Sequence, residues 1–177
     1  MSQIRVDEIT DEAGTGSPSF PNGTPGFPLT SSDMPAGSVI QVVQGSSATQ
    51  TTTTSSSYSD SSLSLSITPL SASSKVLVIV SQQLTVRGAN IAFNVGGLQL
   101  VRASTTIFTN DFAAVVRANS TSGTAASGGL VPLVYLDSPN TTSSTTYKTQ
   151  IRSLTGQNVI AQDGSTPSTI TLMEIAG

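Results

Sequence analysis

Residues 62–68 read Ser-Leu-Ser-Leu-Ser-Ile-Thr, a strict alternation of apolar and hydroxyl side chains. Successive side chains of a strand point to opposite faces, so Leu63, Leu65 and Ile67 would share a buried face and the hydroxyls a wet one. Pro69 ends the run. The same grammar recurs along the chain. Ser38–Gln44 is a first strand, and Lys75-Val76-Leu77-Val78-Ile79-Val80 is a continuous apolar run suited to a central strand covered on both faces. Further candidates are Ile91–Val95, Leu98–Arg102, Thr105–Phe108, Phe112–Arg117, Leu130–Leu136, Thr145–Ile151, Gln157–Gln162 and Ser168–Ile175. Gly96-Gly97 and Asn110-Asp111 read as turns between neighbouring strands. The Ser/Thr-rich tract 45–57 reads as a long loop or an irregular edge, and the Ser/Thr/Gly tract 118–129 as another loop. No segment carries a 3.6-residue apolar stripe. About ten short strands punctuated by turns predict an all-β sandwich or barrel, with a core that includes Leu65, Ile67, Val78, Val80, Leu172 and Ile175.

Residues 1–35 break this pattern. They hold five of the nine prolines, at 18, 21, 25, 28 and 35, together with four glycines. Proline fixes φ and lacks a donor, which rules out a long helix or a central strand. The segment is expected to be an extended arm, and residues 36–177 a β-sandwich head. Ile4, Val6 and Ile9 cluster at the start of the arm, and Phe20 and Phe27 stand in a Pro/Gly context that offers no local core. Two readings follow. These five residues dock on a partner, for instance by adding a strand to its sheet edge, or they are stray apolar residues of a loose terminus.

The composition narrows the function. The chain has 30 serines and 25 threonines among 177 residues, while charged residues are only 10%, against roughly 25% in ordinary soluble domains. Richness in Val, Ile and Thr set in alternating runs argues against disorder. Residues 1–35 hold one basic and five acidic side chains, net −4, and residues 36–177 six basic and five acidic, net +1. Neither part forms a basic patch, so phosphate-driven binding of nucleic acid is not expected. No run is long enough for a membrane span, and the first residues lack the apolar stretch of a signal peptide. The sequons at Asn22, Asn119 and Asn140 are incidental in so Thr-rich a chain.

Candidate chemistry is sparse. With no His and no Cys, a Ser/His/Asp triad and thiol chemistry are impossible. A Ser–Lys pair is formally open through Lys75 or Lys148, but Lys75 at a strand start reads as a solvated side chain. The adjacent carboxylates Asp7-Glu8 and Asp11-Glu12 lie in the arm, where no pocket would hold them in the geometry that sugar cleavage needs. Asp137 before Ser138-Pro139 and Asp163 before Gly164 read as turn formers. The chain is therefore expected not to be an enzyme, and no cofactor or metal is assigned. Tyr58, Tyr135 and Tyr147 are the candidates for stacking on a sugar; the competing reading places each in the core or an interface with its hydroxyl bonded.

The opening Ile4-Arg5-Val6-Asp7-Glu8-Ile9-Thr10-Asp11-Glu12-Ala13-Gly14-Thr15-Gly16, with Pro18 and Phe20-Pro21-Asn22-Gly23, resembles the start of virion appendage proteins of marine and cyanobacterial phages. Ser64–Pro69 with Ser73–Val78, Tyr135-Leu136-Asp137-Ser138-Pro139 and Ser168–Ile175 resemble the heads that follow such arms. The resemblance implies a jelly-roll head similar to the trimeric heads of the tumour-necrosis-factor and complement-C1q type. It implies a short trimeric fibre or appendage subunit on the particle surface, made in the host cytoplasm. A capsid decoration (cement) protein and a receptor- or polysaccharide-binding head are the alternatives. The implied partners are two further copies of the chain, other virion proteins held by the arm, and in the last reading a host-surface glycan. Such fibres usually carry a long shaft between arm and head; here the arm runs almost directly into strands, which favours a short appendage.

Overall fold

The structure, a computed structural model, describes residues 34–89, 93–116 and 124–177. Over these residues the chain forms ten strands: β1 (Val39–Ser47), β2 (Thr51–Thr53), β3 (Ser59–Ile67), β4 (Lys75–Ala89), β5 (Asn94–Arg102), β6 (Thr105–Val116), β7 (Thr124–Asp137), β8 (Thr145–Ser153), β9 (Asn158–Ala161) and β10 (Ser168–Ile175). A single 3-10 turn at Asp163–Ser165 joins the last two, and no α-helix occurs among the described residues.

The strands build two antiparallel sheets. In the first, β4 is the spine. Its first half, Lys75–Ser81, pairs with β10 and through it with β1. Its second half, Leu84–Arg87, pairs with β9 and through it with β2. Its other side pairs with β7 along the whole length of that strand. The second sheet runs β3-β8-β5-β6. The eight main strands thus lie in the order 1-10-4-7 facing 3-8-5-6, the two-Greek-key arrangement of a jelly roll. The expected all-β sandwich is what the sequence folds into.

The core follows the alternation. Leu63 and Ile67 of β3, Val76, Val78, Val80, Leu84 and Val86 of β4, Leu98 and Leu100 of β5, and Ile170 and Leu172 of β10 are buried between the sheets. Each such side chain contributes roughly 1.5–3 kcal/mol relative to exposure. Leu65 is half-buried against the cluster, resting where Gly45 leaves room; a Cβ there would lie 3.1 Å from Leu65 Cδ1. Ile175 corrects the expected core. It lies three residues from Leu172, so strand parity turns it to the outer face, and Glu174 takes the inner position.

Where β4 changes partner, between Ser81 and Leu84, the ladder cannot satisfy itself and side chains fill in. Gln82 is wholly buried; its Oε1 accepts from Thr149 (2.7 Å) and its Nε2 donates to Ser168 Oγ (3.0 Å). Ser168 Oγ also accepts from the Gln83 amide, and Gln83 Oε1 accepts from the Asp163 amide. With its amide oriented to satisfy both ends, buried Gln162 accepts from Ser168 and Gln82 and donates to the carbonyls of Thr49, Ser61 and Ala161. A polar layer in a core is tolerated when its members find partners.

Three local readings are corrected. Gly96-Gly97 is not a turn but lies inside β5. A Cβ on Gly96 would meet Val159 and Val86 at 3.0–3.1 Å, and one on Gly97 would meet Tyr58 Oη at 2.9 Å; these glycines permit close approach on both faces. Asn110-Asp111 lies within β6, where the register shifts between Gly96/Leu98 and Ala114/Asn110; Asn110 Oδ1 accepts from the Phe112 amide (3.1 Å). The turn chemistry thus makes a bulge rather than a hairpin. Residues 124–129, expected to be loop, are strand paired to Leu84–Ala89; the contacts of β4, not local propensity, hold them.

Candidate interaction surface

The outward faces of the two sheets differ in kind. Register places the outward residues of the first sheet in rows across four strands: Val42, Met173, Leu77 and Leu136; then Gln44, Thr171, Ile79 and Val134; then Ser46, Thr169, Ser81 and Pro132. Val134 is 63% exposed, Leu136 50% and Ile79 37%. Lys75, beside Ile175, is the one charged residue of the face over Lys75–Ser81, and Arg87, further along the same side of β4, pairs with Asp163. The apolar run Val76–Val80 was expected to be covered on both faces. Its inner residues are covered, while Leu77 and Ile79 look out of the sheet.

The outer face of the second sheet is polar, and its charges are paired. Lys148 bonds Asp60 (2.9 Å), whose other oxygen accepts from Gln150 (2.6 Å); Gln150 in turn accepts from Gln99. Gln150 and Lys148 hold the Asp60 carboxyl below the usual carboxylate range, against the opposing effect of burial. Arg152 pairs with Asp111 (2.7 Å).

The face of the first sheet continues round the β7 edge. There the two sheets part, and a groove of about 230 Å³ opens between β6 and β7, lined by Ala113, Ala114, Val115, Gly128, Gly129 and Leu130 with the core residue Leu84 at its floor. Leu130 and Phe112, each 63% exposed, stand at this edge. Both strands are sheet edges. Pro132 sits on β7, the kind of strand where a missing donor costs no ladder bond and discourages an added strand.

The three tyrosines meet different fates. Tyr147 is wholly buried, and its hydroxyl donates to Asp137 Oδ2 (2.7 Å). Burial, then that bond, pushes its phenol pKa up. No face of the ring is left for a sugar, which corrects the stacking assignment for Tyr147. Tyr135 is half-buried against the core, its ring 6.2 Å from Phe108 at a tilt of 55°. Tyr58 lies on the second sheet's outer side with the Arg152 guanidinium 4.8 Å over its ring and its hydroxyl donating to Asp111 (2.7 Å). Burial and the Asp111 bond raise its pKa.

Two carboxylates missed as structural elements close the end where β1 begins. Asp137, expected to be a turn former, accepts from Arg102 Nη1 at both carboxylate oxygens (2.8 and 2.9 Å) and from the Tyr147 hydroxyl. It ties the last residue of β7 to β5 and β8 of the opposite sheet. Glu174 is wholly buried and accepts from the Leu70 amide (2.8 Å), the Ser71 amide (3.3 Å) and Gln41 Nε2 (2.5 Å). Burial would raise its pKa, but the bonds from Gln41, Ser74, Leu70 and Ser71 outweigh it and hold the group below its ordinary value. Asp163, also read as a turn former, sits in the 3-10 turn and pairs with Arg87 (3.1 Å).

The expected attachment residues Ile4, Val6, Ile9, Phe20 and Phe27 lie outside the described residues. Among the described residues no cluster of three or more acidic side chains could hold a metal ion, and no helix is long and apolar enough to cross a membrane.

No family model matches this chain, and no curated protein does. Among solved structures it is similar to a chain of infectious bursal disease virus Gt strain, at 15% identity and TM-score 0.37, over 79% of this chain and 39% of that one. It is also similar to T=1 particles derived from infectious bursal virus (13% identity, TM-score 0.36, 79% and 37%) and to a VP2 subviral particle of the same virus (15%, 0.31, 79% and 38%). The chain spans about two fifths of the length of the solved chains it matches.

Proposed function

We propose that this chain is a structural subunit of a phage particle, a short trimeric appendage whose head is held among copies of itself and whose arm, residues 1–35, fastens it to the virion. The observation that carries the reading is the contrast between the head's two outer faces. One is polar with its charges paired; the other presents Val42, Met173, Leu77, Leu136, Ile79 and Val134 beside uncharged Gln44, Thr171, Ser46, Thr169 and Ser81, with Lys75 at its margin. A monomer gains nothing from the second, and exposed apolar patches of this kind mark interaction sites. Two further points support it. The jelly roll recurs in capsid and lectin domains, a fold-level analogy. The arm and head segments resemble phage appendage proteins.

Capsid decoration is the second reading, and it shares the same covered face. A glycan-binding head has less in its favour. Of the three tyrosines, Tyr147 has no free ring face and Tyr58 is engaged by Arg152 and Asp111.

The test is incorporation. Particles assembled in the presence of the full chain should carry it, whereas residues 36–177 alone should fold and stay off the particle. A head that incorporates equally well without its arm contradicts the attachment role. A head that binds host cells or surface polysaccharide on its own favours the receptor reading.

A further inference from the structure

Large polar side chains buried in this head are bonded there. Gln82, Glu174 and Tyr147 are wholly buried, and each has partners. Asn94, the first residue of β5, stands apart. It is wholly buried, and neither its Oδ1 nor its Nδ2 has a hydrogen-bond partner. Ser153, the last residue of β8, is 1% exposed, and its Oγ has none either. Arg152 Nε is also alone, but the same guanidinium is engaged by Asp111 and the Ser56 carbonyl. The Asn94 amide is bonded at neither end.

Strand register brings Asn94 and Ser153 together. Gly96 pairs with Ser153, and Asn94 lies two residues from Gly96 on the same face. The two are therefore diagonal neighbours on adjacent strands, about 7–8 Å apart at Cα. Both point between the sheets. A Cβ on Gly96 would meet Val159 and Val86 of the first sheet, and the alternate residues of β8 from Thr145 to Ser153 are buried. Gly88 of β4 lies opposite. A Cβ there would come 2.8 Å from Asn94 Nδ2 and 2.7 Å from Gln157 Oε1. The glycine thus keeps a side chain away from a place where a donor of one sheet and an acceptor beside the other converge.

We propose that Asn94 and Ser153 hold an internal water molecule in common. A buried carboxamide and a buried hydroxyl each lose their bonds to solvent on folding, and the loss is costly unless new partners replace them. Water donates twice and accepts twice, so one molecule serves an amide and a hydroxyl together, with Gln157 Oε1 as a third partner. An ion fits less well. The amide sets a donor beside its acceptor, and neither Ser153 nor Gln157 brings a charge. A larger ligand has no way in, because the polar atoms of Asn94 and Ser153 are closed to solvent. The site lies just beyond Val86, Val116 and Val159, where the apolar core ends. There the water ties the second sheet to the first, as Asp137 with Tyr147 and Arg102 does at the opposite end of β4.

Solution NMR of the full chain tests this. A contact is expected between the Asn94 side-chain amide and a water that stays bound for longer than the protein takes to tumble. Ser153→Ala should weaken or abolish it. No such contact at a resolved Asn94 amide overturns the proposal. So does a direct contact with Gln157 in its place, or a water contact that S153A leaves at full strength. Thermal melting gives an independent sign. Asn94→Leu keeps the size and removes the polar atoms. A bare amide exchanged for an apolar group would raise the melting temperature. With a bound water to lose, N94L is expected to lower it by roughly 2–4 °C, and S153A by less. A rise in either variant contradicts the site. If N94L does not fold, the NMR contact and the S153A melt still decide.

Discussion

Tyr147 and Asp137 are ten residues apart and lie on opposite sheets, joined by a 2.7 Å hydrogen bond inside the sandwich. Arg102 completes the group, its Nη1 donating to both oxygens of the same carboxylate at 2.8 and 2.9 Å. Asp137→Ala would leave a buried hydroxyl without its acceptor and a half-buried guanidinium with the Ser138 carbonyl in place of the carboxylate. The expected loss is about 3 kcal/mol in urea unfolding. Tyr147→Phe removes one bond and keeps the ring, so its loss should be nearer ~1 kcal/mol. Equal stability of D137A and the parent would show that the group is not structural.

Glu174 sets an acid-side dependence. Its folded pKa lies below the ordinary 4.5 because four donors, Gln41, Ser74 and the Leu70 and Ser71 amides, outweigh burial. A depressed pKa means the folded state releases the proton more readily than the unfolded one. The stabilisation is therefore fully present above the ordinary value and is lost as pH falls below it. Glu174→Gln keeps one acceptor for the loop amides but turns an NH₂ towards Gln41. It should cost roughly 1–3 kcal/mol at neutral pH. It should also flatten the acid limb of stability, leaving the part due to Asp60 and Asp111, whose pKa values are lowered too. An unchanged limb in chemical denaturation from neutral pH down to about pH 3 would remove Glu174 from the account.

Much of the fold is written in alternation. Leu63, Leu65 and Ile67 announce both the strand and its buried face, and the run Val76–Val80 announces the spine. The misreadings share one cause: a residue type with a strong local habit was used for a long-range purpose. Gly96 and Gly97 have the composition of a hairpin, yet their missing side chains admit Val159, Val86 and Tyr58. Asn110-Asp111 has the composition of a turn and makes a bulge. Asp137 has the composition of a turn former, and its partners Arg102 and Tyr147 are brought to it only by the closed sandwich. The apolar outer face was half legible. Leu77 and Ile79 showed that β4 is apolar on both sides. Their alignment with Val42, Met173, Val134 and Leu136 needed the register of four strands.

The two neighbouring glycines of β7 should respond in opposite ways. Gly128→Ala forces a methyl onto Thr85, itself buried and bonded to Gln83, and should cost about 1–3 kcal/mol. Gly129→Ala meets open space and should be neutral or stabilise by up to ~1 kcal/mol through the unfolded chain. Thermal melts of the two variants decide this. The same sign and size for both would contradict the packing described for this edge.

The proposed trimer requires another copy to cover the first sheet's outer face. Sedimentation of the full chain across micromolar concentrations shows whether copies associate. The expected result is a closed multiple of 18.0 kDa that Val134→Arg, a charge placed in the middle of that face, reduces to single folded subunits. A parent chain that sediments as one folded subunit throughout, or a V134R variant that keeps the parent's mass, would contradict it.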